Sequence, residues 1–487
     1  MAFPIRIART VPANVHLLLP IPKDAWKSFA KHAAGSLDAQ EKTALARTNA
    51  SLSREPDTAL LPLWTGRRWL VLALLEPIAS LTTRTARDAG EMLTERLRAV
   101  GIDQVFLVRG PVTRKCWQAL QEGMALGSYA FTECKGTLPE EGAGPSKHTP
   151  VTFTFRQAQD LVPPVRLRII ADAVALTKDI VNRPPNSATP AALEKASREL
   201  AQRFPSMNMK VLQGKQLEAH GLRGISAVGR GSAEEPRLIL IDYAPVKGKP
   251  LLLVGKGVAF DTGGLSLKRS ENMVSMKQDL TGAATVLGVL QGAAEMNVRR
   301  RIVGVIPAVE NMIGARAYRP DDVIRMVNGV TVEVTNTDAE GRIILGDALA
   351  YASEQYRPER IIDLATLTGG CAVAVGEDIA AILGNDPRFV GALRRAADDA
   401  GEPLWELPLH KPYRKFLRSK VADIVNLAEP LSASTIQGGL FLQHFVPEKT
   451  PWCHIDIASV AFDDEKNRAT GRMVRTLLHY LESRNRA

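Results

Sequence analysis

Short apolar runs alternate with longer stretches of helical spacing along most of this chain. Residues 15–19, 69–74 and 104–108 are apolar runs of strand length, and residues 85–100 repeat their apolar positions every three to four residues. That alternation predicts an α/β arrangement for the first part of the chain. The stretch 136–150 (GTLPEEGAGPSKHTP) is rich in Gly, Pro and polar residues and reads as a surface linker. Beyond it, 165–181 has helical apolar spacing and stops at Asn182-Arg183-Pro184-Pro185. From about residue 190 the alternation is regular. Residues 238–243, 251–254, 302–306, 330–334 and 361–364 read as strands, and 281–296, rich in Ala, Leu and Gly, reads as a helix. Repeated βα units of this kind predict an α/β fold: a mixed, mostly parallel central sheet flanked by helices, preceded by a smaller α/β N-terminal domain. The expected domains are 1–160, with a linker at about 136–160, and 161–487. In open sheets of this class ligands bind beyond the carboxyl ends of the strands, so the chemistry is sought there.

Composition narrows the class. A chain of 487 residues exceeds one typical core, and its 45% hydrophobic and 23% charged residues are the balance of an ordinary globular protein. No run approaches the eighteen or so apolar residues of a membrane helix. The first twenty residues, broken by Pro4, Arg6, Arg9 and Pro12, lack the apolar core of a signal peptide. Cys116, Cys134, Cys371 and Cys453 are scattered without C-x-x-C spacing, which argues against a disulfide framework and fits a reducing cytoplasm. The formal net charge of +10 raises nucleic acid as a partner. The first 160 residues hold 20 Lys/Arg against 15 Asp/Glu, and no long basic run concentrates the excess. Arg299-Arg300-Arg301, the tightest cluster, reads as a solvated helix end running into a strand, so DNA binding stays a minor hypothesis.

Three loops after apolar runs carry dense polar clusters: 254–268, 276–284 and 336–342. Together they offer Asp261, Asp279, Asp338 and Glu340 beside Lys256, Lys268 and Arg342. Singly, each has a bland explanation. Asp279, Asp338 and Glu340 could cap helices, Arg342 could pair locally, and the lysines could be surface charges. Gathered at neighbouring strand ends, four carboxylates repel strongly unless cations compensate them, and a divalent metal pair is the economical compensation. No histidine lies between His220 and His410, which excludes an HExxH zinc site. Gly255-Lys256-Gly257 lacks the spacing and hydroxyl of a P-loop. The glycines 255, 257, 263 and 264 suit a backbone that bends around a ligand.

The segment Asn336-Thr-Asp-Ala-Glu-Gly-Arg342 resembles the NTDAEGR signature of the leucyl aminopeptidase (cytosol aminopeptidase) family. GKGVAFDTGG with the later Lys268, MKQD before Gly282-Ala-Ala, and the blocks starting at Asp363, Ala422, Trp452 and Ala469 resemble it too, in order. The resemblance covers roughly residues 165 to 487 and leaves the N-terminal third unmatched. It implies two divalent ions, with zinc, manganese and magnesium all open, held by Lys256, Asp261, Asp279, Asp338 and Glu340. It further implies Lys268 as the oxyanion-stabilising group and Arg342 as the holder of a bicarbonate ion. The implied side-chain pocket is Met276, Thr366, Gly369, Ala458 and Ala461. The implied activity is removal of N-terminal residues, leucine and other hydrophobic ones in preference, from peptides with a free N-terminus, by a homohexamer in the cytoplasm. The sequence departs from the family pattern at Leu280-Thr281, Ile343 and Ser459, none of them a ligand position. Two rival readings are a DNA-binding or structural protein that has kept the fold, and a metal-dependent phosphoesterase.

Overall fold

In this computed structural model the described residues are 5–7, 15–22, 39–41, 43, 60–64, 69–77, 79–109, 112–134, 151–155, 162–428 and 432–485. The chain divides into two compact units, Met1–Asp172 and Ala173–Ala487. The division falls inside the helix Pro164–Asn182 rather than ahead of it.

The first unit holds a six-stranded sheet of β1 (Ile5–Ile7), β2 (His16–Pro22), β3 (Leu60–Trp64), β4 (Trp69–Leu75), β5 (Gln104–Leu107) and β6 (Thr152–Phe155). The strand order is β1-β6-β5-β2-β4-β3, parallel except for the β3–β4 pair. Helix α1 (Thr83–Ala99) starts at a capping box in which Thr82 and Thr85 satisfy each other's backbone N–H groups. Its Leu93 and Leu97 join Trp117 and Leu120 of α2 (Arg114–Leu126) against Leu18, Val105 and Phe153 of the sheet. One expectation is corrected here. Residues 152–155, assigned to the linker, form β6 between β1 and β5, and Phe153 is buried in the core beneath the helices. The rest of the linker up to residue 150 lies outside the described residues.

The second unit is built on a nine-stranded mixed sheet with β7 (Met207–Gln213) and β16 (Leu404–Glu406) at its edges, while β12 (Val323–Arg325), β13 (Thr331–Glu333) and β17 (Ile424–Val425) form a small separate sheet. The central members of the large sheet are β9 (Leu251–Gly255), β11 (Ile302–Asn311), β14 (Arg360–Ala365) and β18 (Trp452–Asp456), which run parallel in the order β18-β14-β9-β11. β10 (Gly257–Asp261) continues β9 along β11. The outer pairings are antiparallel where β8 (Arg237–Tyr243) meets β11 and where β15 (Ala380–Gly384) meets β18. Parallel strands covered on both faces read as unbroken apolar runs, and Leu251–Val254 and Ile302–Ile306 are fully buried.

Helix α3 (Thr281–Glu295) is apolar all round and buried from Thr281 to Ala294. It lies so close to the sheet that a Cβ on Gly282 would sit 2.3 Å from the Leu364 carbonyl oxygen, and one on Gly255 2.4 Å from the Gly282 oxygen. Glycine at both positions lets two backbones touch, and it brings the start of α3 onto the ends of β9 and β14. On the other side of the sheet's carboxyl edge, helix α4 (Glu340–Tyr356) is fixed by Asp347. This buried carboxylate accepts the backbone N–H groups of Gly224 (2.6 Å), Ile225 (3.2 Å) and Val327 (3.0 Å). Among the described residues, no helix is long and apolar enough to cross a membrane.

Burial pushes the Asp347 carboxyl up to about 7, against three backbone N–H groups that favour its ionised form. Its folded pKa lies above its unfolded value of 3.8, so its stabilising contribution is full below that value and is lost as pH rises toward 7. Asp347→Asn, which cannot ionise, is expected to flatten the pH dependence of stability between about pH 4 and 7. Urea unfolding of both proteins across this range checks it, and identical slopes would contradict the shift.

Candidate active site

Lys256 occupies the break between β9 and β10. Its N–H donates to the Leu364 carbonyl (3.0 Å) and its own carbonyl accepts the Ala283 N–H (2.9 Å), so the strand turns here toward β14 and α3. The side chain then passes across Gly341, where a Cβ would lie 2.5 Å from Lys256 Cε. Nζ ends 2.7 Å from Asp279 Oδ1, 2.9 Å from Glu340 Oε1 and 2.9 Å from the Thr366 carbonyl oxygen. A second lysine works in parallel. Lys268 Nζ lies 3.0 Å from Asp261 Oδ2 and 2.5 Å from Asp338 Oδ1.

Each carboxylate is oriented by its own neighbours. Asp261 ends β10 and accepts the Gly263 N–H and the Asn311 side-chain amide through Oδ1, both at 2.8 Å. Asp279 sits on the 3-10 turn Met276–Leu280 and accepts the Thr366 hydroxyl at 2.6 Å. Glu340 is the first residue of α4, with Asp338 two residues before it. Neither α3 nor α4 has a side-chain cap, which removes helix capping as the explanation of these carboxylates. Carboxylate oxygens of Asp261, Asp338 and Glu340 come within 4.8 Å of one another.

Electrostatics make this arrangement costly. Burial first, and Asp279 next, push Asp261 up to about 6. Burial likewise raises Asp279, Asp338 and Glu340, with Lys256 or Lys268 opposing and neighbouring carboxylates adding. Burial alone would lower both lysines, yet the surrounding carboxylates outweigh it and hold each above the ordinary lysine value. Four carboxylates against two ammonium groups leave a net negative cluster. Asp279 Oδ2 and Glu340 Oε2 are buried with no hydrogen-bond partner. Hard oxygen donors, excess negative charge and unused buried lone pairs together fit divalent cations.

The cluster forms the floor of a cavity of about 560 Å³. Met276, Thr366, Gly369 and Ala458 line it, and so do Glu271, Asn272 and Asp464, which the sequence did not single out. Ala461 is 2% exposed and lies outside the lining. Arg342 is also outside it, buried one helical position beyond Gly341, with Nη1 donating to the Asn426 carbonyl at 2.9 Å. Burial lowers its pKa to about 10, with Glu340 and Asp456 opposing.

Sequence reading missed Asn311. Its amide bridges Asp261 Oδ1 and the Thr337 carbonyl (3.0 Å), which also takes the Tyr318 hydroxyl at 2.6 Å. Asn311 ends β11 opposite Asp261, so the strand-end rule points to it, but an uncharged amide carries no chemistry of its own to draw notice. His454 is fully buried on β18 and bonded to Asp363 at 2.6 Å. The Arg299–Arg301 cluster is partly spent within the chain: Arg300 pairs with Glu359 and Arg301 with Asp242 through both carboxylate oxygens.

Comparison with known proteins places the chain among peptidases. Residues 175–478 match the family model of the cytosol aminopeptidase family, catalytic domain. A probable cytosol aminopeptidase of Roseiflexus castenholzii is 41% identical over 411 residues, 81% of this chain and 83% of that protein. Among solved structures, the bottromycin maturation enzyme BotP in complex with Mn superposes with a TM-score of 0.82 at 32% identity, covering 97% of this chain and 100% of BotP. The cytosol aminopeptidase of Coxiella burnetii gives a TM-score of 0.82 at 30% identity, covering 98% and 99%. With its signature residues gathered at the strand ends of a matching fold, the chain belongs to the cytosol aminopeptidase family of peptidases.

Proposed function

We propose that this chain is a two-metal aminopeptidase that removes N-terminal residues from peptides, leucine and other hydrophobic residues in preference. The observation that carries the reading is the convergence of Asp261, Asp279, Asp338 and Glu340 with Lys256 and Lys268 on one cavity floor. One ion would be held by Asp261, Asp338 and Glu340, the other by Lys256, Asp261, Asp279 and Glu340. Zinc and manganese are the first candidates and magnesium the next; the related BotP has been solved with Mn. When bound, such a pair supplies Lewis acidity and a water nucleophile at neutral pH.

The chain's own groups divide the remaining work. Lys256 would serve as a ligand only as a neutral amine, giving up to solvent the proton that the carboxylates stabilise. Lys268 remains charged at the cavity and stabilises the negative charge that develops on the scissile carbonyl oxygen. Among the described residues, the only side-chain hydrogen bond of Arg342 goes to the Asn426 carbonyl, so its buried guanidinium keeps N–H groups for a small anion. Bicarbonate held there would serve as general base. Met276, Thr366, Gly369 and Ala458 form the slot for the N-terminal side chain. A cytoplasmic homohexamer is part of the same reading.

Hydrolysis of leucyl-p-nitroanilide against p-nitrophenyl phosphate, after chelation and re-addition of zinc, manganese, magnesium or cobalt, tests this. Metal-restored amidase activity is expected, and phosphatase activity without amidase activity would overturn the proposal. Glu340→Ala and Asp279→Ala are expected to abolish amide hydrolysis and to lower bound metal measured by elemental analysis. Arg342→Ala is expected to lower kcat by roughly 10²- to 10⁴-fold while metal is retained. Loss of metal in that variant would assign Arg342 to the metal site instead.

A further inference from the structure

We infer that Asp456 is a positioning residue for substrate selection, because its buried carboxylate ties together the two strand-end loops that wall the cavity. β14 and β18 end side by side, with Ala365 paired to Asp456 and the Ile457 N–H donating to the Ala365 carbonyl at 2.8 Å. The chain leaving β14 supplies Thr366, Leu367, Thr368 and Gly369 to the cavity, and the chain leaving β18 supplies Ala458. Asp456 is fully buried between them. Its Oδ1 accepts the Leu367 N–H at 3.1 Å and the Ala458 N–H at 3.2 Å. Its Oδ2 accepts the Thr368 hydroxyl at 2.6 Å, and that hydroxyl lies 2.8 Å from the hydroxyl of Thr435 on the helix Ser434–Gln443. Among the described residues no cation forms an ion pair with Asp456, so its lone pairs serve these loops.

The 366–369 loop is thereby held from two sides. On the floor side, the Thr366 hydroxyl donates to Asp279 and its carbonyl accepts Lys256 Nζ. On the far side, Asp456 takes the next two residues. With the floor side alone, Thr366 keeps its place while Leu367 to Gly369 and Ala458 lose their common anchor. The slot between them then loses its width, and width is what discriminates a leucine from an alanine side chain.

This inference rests on the aminopeptidase reading. Asp456→Ala is expected to lower the ratio of kcat/KM for leucyl over alanyl p-nitroanilide on the order of tenfold, chiefly by raising KM for the leucyl substrate, with bound metal unchanged. Asp456→Asn should keep the ratio, since its amide oxygen can take both N–H groups and its NH2 can meet Thr368 Oγ1. An unchanged ratio in Asp456→Ala overturns the inference, as does an Asn variant as unselective as the Ala variant. If Asp456→Ala does not fold, the near-isosteric Thr435→Val should lower the same ratio less, and no change there also overturns it. A wild-type protein inactive on every aminoacyl amide would sink the aminopeptidase reading itself; an active one with unaltered selectivity in the variants sinks only this inference.

Discussion

The burial of like charges is the constraint on which this structure turns. Two carboxylates about 4 Å apart repel by roughly 4 kcal/mol at an effective dielectric of about 20, a large part of a typical domain's net stability. Asp261, Asp338 and Glu340 are brought within 4.8 Å, and Asp279 joins them through Lys256. The helix N-termini beside Asp279 and Glu340 offset only about 0.3–1 kcal/mol each, so they do not decide the balance. The two lysines do more, yet they leave the cluster negative and leave Asp279 Oδ2 and Glu340 Oε2 unpaired. A fold optimised for stability alone would not assemble such a set.

The backbone makes that assembly reachable. Contact between Gly255 and Gly282 sets α3 against the sheet, which places Asp279 next to the break in the strand at Lys256. Gly341 leaves the path along which the Lys256 side chain crosses the first turn of α4. Around this floor, uncharged groups fix the geometry. Asn311 and Tyr318 hold the Thr337 carbonyl, and Thr366 links Asp279 to the loop that Asp456 anchors. Rigid support of this kind keeps charged groups in place even though they repel.

Legibility along the chain followed how each element is buried. The strand expected at 251–254 and the helix expected at 281–296 appear as Leu251–Gly255 and Thr281–Glu295, because both are buried on all sides and read as plain apolar runs. The strand expected at 330–334 shrinks to Thr331–Glu333, whose three residues pair in a small separate sheet. β18 escaped notice as a strand because His454 and Asp456 interrupt its apolar pattern. Both are fully buried, their polarity satisfied by Asp363 and by the cavity loops. β6 was hidden inside an apparent linker, since its partners lie far away in the chain at residues 5–7 and 104–107.

The sequence by itself determined the α/β class, the gathering of acidic and basic residues after apolar runs, and the family, because each is written in local pattern or contiguous motif. Only the tertiary structure decided that Asp279 and Glu340 do not cap helices and that Lys256 reaches both of them. Tertiary contacts also put Ala461 outside the cavity lining and brought Asn311 and Asp456 into the supporting network. The physical reason is distance along the chain. A hydrogen bond from residue 367 to residue 456, or from 311 to 261, leaves no periodicity in either segment and exists only once the strands lie side by side.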